Sequence, residues 1–129
     1  MKNQEQINQQ PSSYRQTLEV SEVSAILQVG LTTMYAILKS TKDYKVFTLW
    51  GRKRIDRQSF VAWFNGCETS DDKPLQTYTA EQLAERFSFN VRTVYNKLQT
   101  DEGYRVLRFG KNIVRVNKAS FDYWFDNVA

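Results

Sequence analysis

The apolar positions of this chain pass through one ordered series of spacings and then pass through it again. Val23, Ile26 and Leu27 share one helical face, and a short break follows at Gln28-Val29-Gly30. Met34, Ile37 and Leu38 then mark the inner face of a second short helix. The stretch "YKVFTLWGRKRI", residues 44–55, is rich in β-branched and aromatic residues around a glycine, which predicts a β-hairpin with a basic turn. Phe60, Trp63 and Phe64 close the series at i, i+3 and i+4 on a last helix.

The second passage uses Leu83, Ala84 and Phe87, a break at Ser88-Phe89-Asn90, then Val94 and Leu98. It continues with "YRVLRFGKNIVRV", residues 104–116, and ends on Phe121, Trp124 and Phe125. A shift of sixty pairs Thr33 with Thr93, Tyr35 with Tyr95, Leu38 with Leu98 and Tyr44 with Tyr104. A shift of sixty-one pairs Arg54 with Arg115, Ser59 with Ser120 and Trp63 with Trp124, so the second copy carries one extra residue near Gly110. The punctuation agrees. Thr79 and Gln82 form a capping box, Gly30 and Asn90 are N-caps of the second helices, and Asp56 and Asn117 cap the last ones. The aromatic stripes are read as core, because spacing and repetition both match packing. The expected fold is α+β and mainly helical, with each copy running helix, tight turn, helix, hairpin, helix.

Four segments follow: a polar tail over 1–16, a first domain over 17–64, a linker over 65–77 and a second domain over 78–129. "NGCETSDDKPLQT" has polar linker composition, and its thirteen residues permit either a direct or an inverted arrangement of the two copies. Large aromatics partly compensate for the small core of each copy.

Composition narrows the chemistry. The 129 residues contain no histidine and one cysteine, Cys67, so neither a zinc cage nor a Ser-His-Asp or Cys-His triad can be built. Five scattered glycines form no phosphate loop. Neither an enzyme nor a cofactor is expected, and Cys67 reads as a surface thiol of a cytosolic protein. No apolar run approaches a membrane span, and the N-terminus lacks the apolar centre of a signal peptide, so a cytoplasmic location without membrane contact is expected. Net charge is +4. Residues 1–64 hold nine basic against five acidic side chains, residues 65–77 one against three, and residues 78–129 eight against six. Two basic blocks around an acidic joint suit a polyanion.

The exposed side of the second helix in each copy carries that reading further. In "NVRTVYNKLQ" the outward positions are Arg92, Thr93, Tyr95, Asn96 and Gln99, where a merely solvated helix more often carries Glu and Lys. Two helices, a tight turn and a two-stranded wing make a winged helix-turn-helix. The segments "YTAEQLAERFSFNVRTVYNKLQ" and "YRVLRFGKNIVRVNKASFDYWF" resemble the excisionase-type branch of the MerR-like DNA-binding domains. The likeness rests on Thr93-Val94-Tyr95, the wing turn Gly110-Lys111, the strand end Arg115-Val116, and Ser120-Phe121 with Trp124. The first copy is similar but has Glu19 where Thr is usual and Leu31-Thr32 where the second has Val91-Arg92. Together the likenesses cover residues 18–126, and they imply tandem winged helix-turn-helix domains that bind double-stranded DNA.

On that basis Arg92 suits guanine O6 and N7, Asn96 suits adenine, and Thr93 and Tyr95 suit phosphates. Thr32, Thr33 and Tyr35 hold the backbone in the first copy, and Ala36 permits close approach or meets a thymine methyl. The wings are Arg52, Lys53 and Arg54, matched by Lys111, Asn112 and Arg115. Lys39, Lys45, Arg105 and Arg108 either widen the basic surface or keep it soluble. Three roles stay open: an excisionase or recombination directionality factor of a mobile element that bends DNA beside an integrase or recombinase, a small repressor without effector domain, and an adaptor for a recombinase or replication initiator. The expected state is a monomer with an internal pseudo-dimer, able to assemble cooperatively on DNA.

Overall fold

The structure, a computed structural model, describes residues 16–66, 74–100 and 103–127. The first unit contains β1 (Thr17–Glu19), α1 (Val20–Leu27), α2 (Leu31–Leu38), β2 (Val46–Leu49), β3 (Arg52–Asp56) and α3 (Arg57–Asn65). The second repeats the order with β4 (Thr77–Tyr78), α4 (Ala80–Phe87), α5 (Val91–Thr100), β5 (Val106–Phe109), β6 (Ile113–Asn117) and α6 (Lys118–Asn127). The fold is α+β, with roughly half of the described residues helical. Each unit has a three-stranded antiparallel sheet, ordered β1-β3-β2 in the first and β4-β6-β5 in the second.

Local chemistry explains the element ends. Gln28 and Ser88 sit in the left-handed region at φ 56° and 60°, which stops α1 and α4. After this stop α2 departs at 108° to α1. Asn90 accepts from the Arg92 amide at 2.8 Å, and Thr79 and Gln82 close their box at 3.0 and 2.9 Å. Asp56 and Asn117 accept from Ser59 N and Ser120 N, starting α3 and α6. The extra residue of the second copy lies in a hairpin turn: Leu49 pairs with Arg52 across two residues, whereas Phe109 pairs with Ile113 across three.

Three features depart from the sequence reading. A short strand precedes each first helix and pairs with the far side of the hairpin, Leu18 opposite Ile55 and Tyr78 opposite Val116. The first core is also not self-contained. Leu107 and Phe109 from the second hairpin are buried in it with Leu27, Met34, Ile37 and Phe64, and Phe109 meets the Trp63 ring edge-on at 6.0 Å. Finally, the units are coupled rather than free to choose an arrangement. Thr77 Oγ1 donates to Ile26 O at 2.7 Å, Asn117 Nδ2 donates to Phe64 O at 2.9 Å, and Arg105 Nη2 donates to Trp63 O at 2.6 Å. The tail over 1–15 and Cys67 lie outside the described residues.

Candidate nucleic-acid interface

Helices α2 and α5 each bury one face and expose the other. Met34, Ile37 and Leu38 are buried in the first, and Val94 and Leu98 in the second. Opposite them Thr32, Thr33, Tyr35, Ala36 and Lys39 are exposed on and just after α2, as are Arg92, Thr93, Tyr95, Asn96 and Gln99 on α5. Burial of the apolar stripe anchors each helix, so the polar stripe is presented on a rigid element.

The second hairpin turn lies between the two helices. On one side Lys111 and Gly110 line an open groove of about 830 Å³ with Thr32, Thr33 and Ala36. On the other, Asn112 and Arg115 line a groove of about 630 Å³ with Arg92, Tyr95 and Asn96. Gly110 sits at φ 57°, and a Cβ there would also stand 3.1 Å from Ile113 Cδ1 and 3.3 Å from Ile37 Cγ1. The two exposed helix faces therefore flank one basic turn. Thr93 is turned elsewhere. With Lys97 it lines a separate apolar groove of about 320 Å³ among Phe87, Phe89, Trp124 and Phe125.

Not every cation assigned to the surface is available there. Arg115 donates through Nε to Leu27 O, through Nη2 to Gln28 O and through Nη1 to Val114 O, all at 2.8 Å. It caps the C-terminal carbonyls of α1 from the other unit, and burial lowers its pKa from the usual arginine value. Its wing role is thus corrected to an inter-unit clasp. Arg105 and Arg108 likewise serve internal carbonyls, the latter donating to Leu98 O at 2.7 Å and reaching Gln99 Oε1 at 3.5 Å. Arg52, Lys53, Lys111 and Asn112 remain exposed, and Arg54 is half-exposed.

Two further residues stand differently from what the sequence leads one to expect. Phe125, expected in the core, is 39% exposed, because among the described residues no element covers that end of the second unit as the hairpin covers Phe64. Trp50 stands at the first hairpin turn with 92% of its surface exposed. A signal for it was present, since Trp-Gly stands before Arg-Lys-Arg in a turn that ordinarily takes Asn-Gly. Comparison with family models, with curated proteins and with solved structures finds no match to this chain. Among the described residues no single helix is long and apolar enough to cross a membrane.

Proposed function

We propose that the chain is a double-stranded DNA-binding protein made of two winged helix-turn-helix units, with α2 and α5 as groove-reading helices. The observation that carries this reading is the placement of two exposed polar helix faces on either side of one basic hairpin turn. The 108° turn between α1 and α2 suits the motif, whose helices meet at about 90–120°. Arg92 and Asn96 supply donors and acceptors for base edges; Thr32, Thr33, Tyr35 and Tyr95 supply hydroxyls for phosphates.

Inter-unit bonds add a constraint that a free linker would not. With Arg115, Asn117 and Thr77 holding the units together, the two helices keep one spacing and one orientation. Such a body reads half-sites at one separation, about 34 Å if adjacent turns of the major groove are used. A rigid double grip favours an architectural role of the excisionase kind over a flexible adaptor, with an integrase or recombinase as partner on the same DNA.

The test is a salt series on a duplex selected from a random pool. DNA binding lowers log K by about 0.9 per neutralised phosphate for each unit of log salt. An affinity that ignores salt, or no enriched duplex, rejects the reading. Sites mapped over a promoter, without effect on integrase-dependent excision, would leave a repressor in place of an excisionase.

A further inference from the structure

The turn between β2 and β3 contains two residues, Trp50 and Gly51, at φ 50° and 80°. Positive φ at both positions is the geometry for which Asn-Gly is favoured, because a bulky side chain crowds its own backbone there. A tryptophan in that position costs roughly 1 kcal/mol. Packing does not repay the cost, since the indole is 92% exposed. The other tryptophans behave differently: Trp63 lies 5.1 Å from the Tyr44 ring and Trp124 lies 5.0 Å from the Tyr104 ring, both inside aromatic clusters. Backbone strain retained for a solvent-facing ring points to a task outside the fold.

Its surroundings indicate the task. Leu49, 38% exposed, precedes the ring, and exposed Arg52 and Lys53 follow it. The tip thus offers an aromatic plane with cations directly behind. That combination fits a duplex: the plane meets a base step and the cations meet the flanking phosphates. The second hairpin has Gly110, Lys111 and Asn112 in the matching turn and lies between α2 and α5, so the ring belongs to the first hairpin alone.

We infer that Trp50 is a wedge that enters the minor groove beside the site gripped by α2, stacks against a base step and bends the duplex there. This rests on the DNA-binding reading above. Wedge residues open a step on one side and kink DNA toward the major groove, so a single wedge in the first unit makes the bend asymmetric about the two half-sites.

The test uses the full chain, the W50N and W50F variants, and a duplex selected from a random pool by the wild-type chain. W50N installs the favoured Asn-Gly turn, so its thermal midpoint rises by roughly 3 °C. Its affinity falls roughly tenfold, its bend in a circular-permutation gel shift shrinks, and the quenching of tryptophan emission by duplex is lost. W50F retains most of the affinity and bend. A W50N variant that gains stability yet binds and bends DNA like wild type overturns the wedge and leaves the DNA reading intact. If the wild-type chain enriches no duplex, both fall. Emission that responds to anionic phospholipid vesicles and not to the duplex also overturns the wedge, replacing it with a lipid-surface contact.

Discussion

The surface that joins the two units exists twice in this molecule, and among the described residues one copy is covered and the other is not. The helix ends of the first unit, around Ile26, Gln28, Ile37 and Trp63, are covered by Phe109, Ile113 and Arg115 of the second. In the second unit the matching helix ends are uncovered by any described residue. Arg86 stands in place of Ile26, with its guanidinium 4.8 Å from the Phe87 ring centre and 5.4 Å from Phe125, and Lys97 stands in place of Ile37. The matching sheet face of the first unit is open too, with Leu49, Arg52 and Arg54 where the second has Phe109, Ile113 and Arg115. Asp56 replaces Asn117, whose amide donates to Phe64 O. A small set of polar exchanges thus separates a closed interface from two free ends. Terminal repeats in arrays carry polar outer faces for the same reason.

The covered and uncovered copies differ most at the apolar centre. Phe109→Ala removes a ring that is 7% exposed, and it should cost about 3 kcal/mol, whereas Leu49→Ala at the matching open position stays within about 0.5 kcal/mol. Denaturant unfolding of the two variants measures this. Because Phe109 belongs to the first core while its strand belongs to the second sheet, both units should unfold in one transition that shifts as a whole.

Polar clasps come next. Arg115→Met leaves Leu27 O and Gln28 O without their donor, a loss of about 2 kcal/mol, while Arg54→Met changes stability little. Asn117→Asp keeps the Ser120 cap but aims a carboxylate at Phe64 O, and a similar loss is expected. Equal losses for Arg115→Met and Arg54→Met would show that the coupling between units contributes nothing.

The buried phenol of Tyr44 gives the first unit a pH dependence of its own. Burial, with the nearby Asp43 carboxylate, pushes its pKa up to about 12. The folded state therefore favours the neutral phenol. Its contribution is complete below the unfolded value of about 10 and is lost as pH rises through the folded value, by about 2 kcal/mol. Tyr44→Phe removes that loss, so urea unfolding of the two proteins should agree at pH 8 and diverge toward pH 12.

Much of this fold was legible because its signals are local. Apolar spacing located the helices and hairpins, and Asp56, Thr79, Asn90 and Asn117 announced helix starts within a few residues. Strands β1 and β4 were missed because two or three residues show no period, and their partners lie nearly forty residues away. The two matching copies also concealed which of them covers the other. Yet the second hairpin differs from the first in a readable way. Val106, Val114 and Val116 are apolar on one face, and Leu107, Phe109 and Ile113 on the other, so it is buried on both sides. The first hairpin carries Thr48, Arg52, Lys53 and Arg54 instead. Arg115 is hidden in the same way: its identity matches Arg54, but its partners Leu27 O and Gln28 O belong to the other unit.

The smallest effect on stability belongs to the charges at the free ends. If the open helix ends of one molecule met the open sheet of another as the two units meet within the chain, Lys97 would face Arg52 where Ile37 and Ile113 both approach Gly110. Asp126 would face Asp56 in the place of Asn65 and Asn117. Like charges brought together in a closing interface oppose it, and a head-to-tail contact that did close would propagate into open filaments. Lys97 and Arg52 are both exposed, so replacing both with Ile should change unfolding stability by no more than about 0.5 kcal/mol. Its effect should appear in assembly instead. Sedimentation should find the wild-type chain monomeric at high micromolar concentration and the double variant growing in mean mass with concentration. A double variant that stays monomeric would show that the remaining charges, Arg86 packed over Phe87 and Phe125 together with Asp126 and Asp56, are enough to keep the end free.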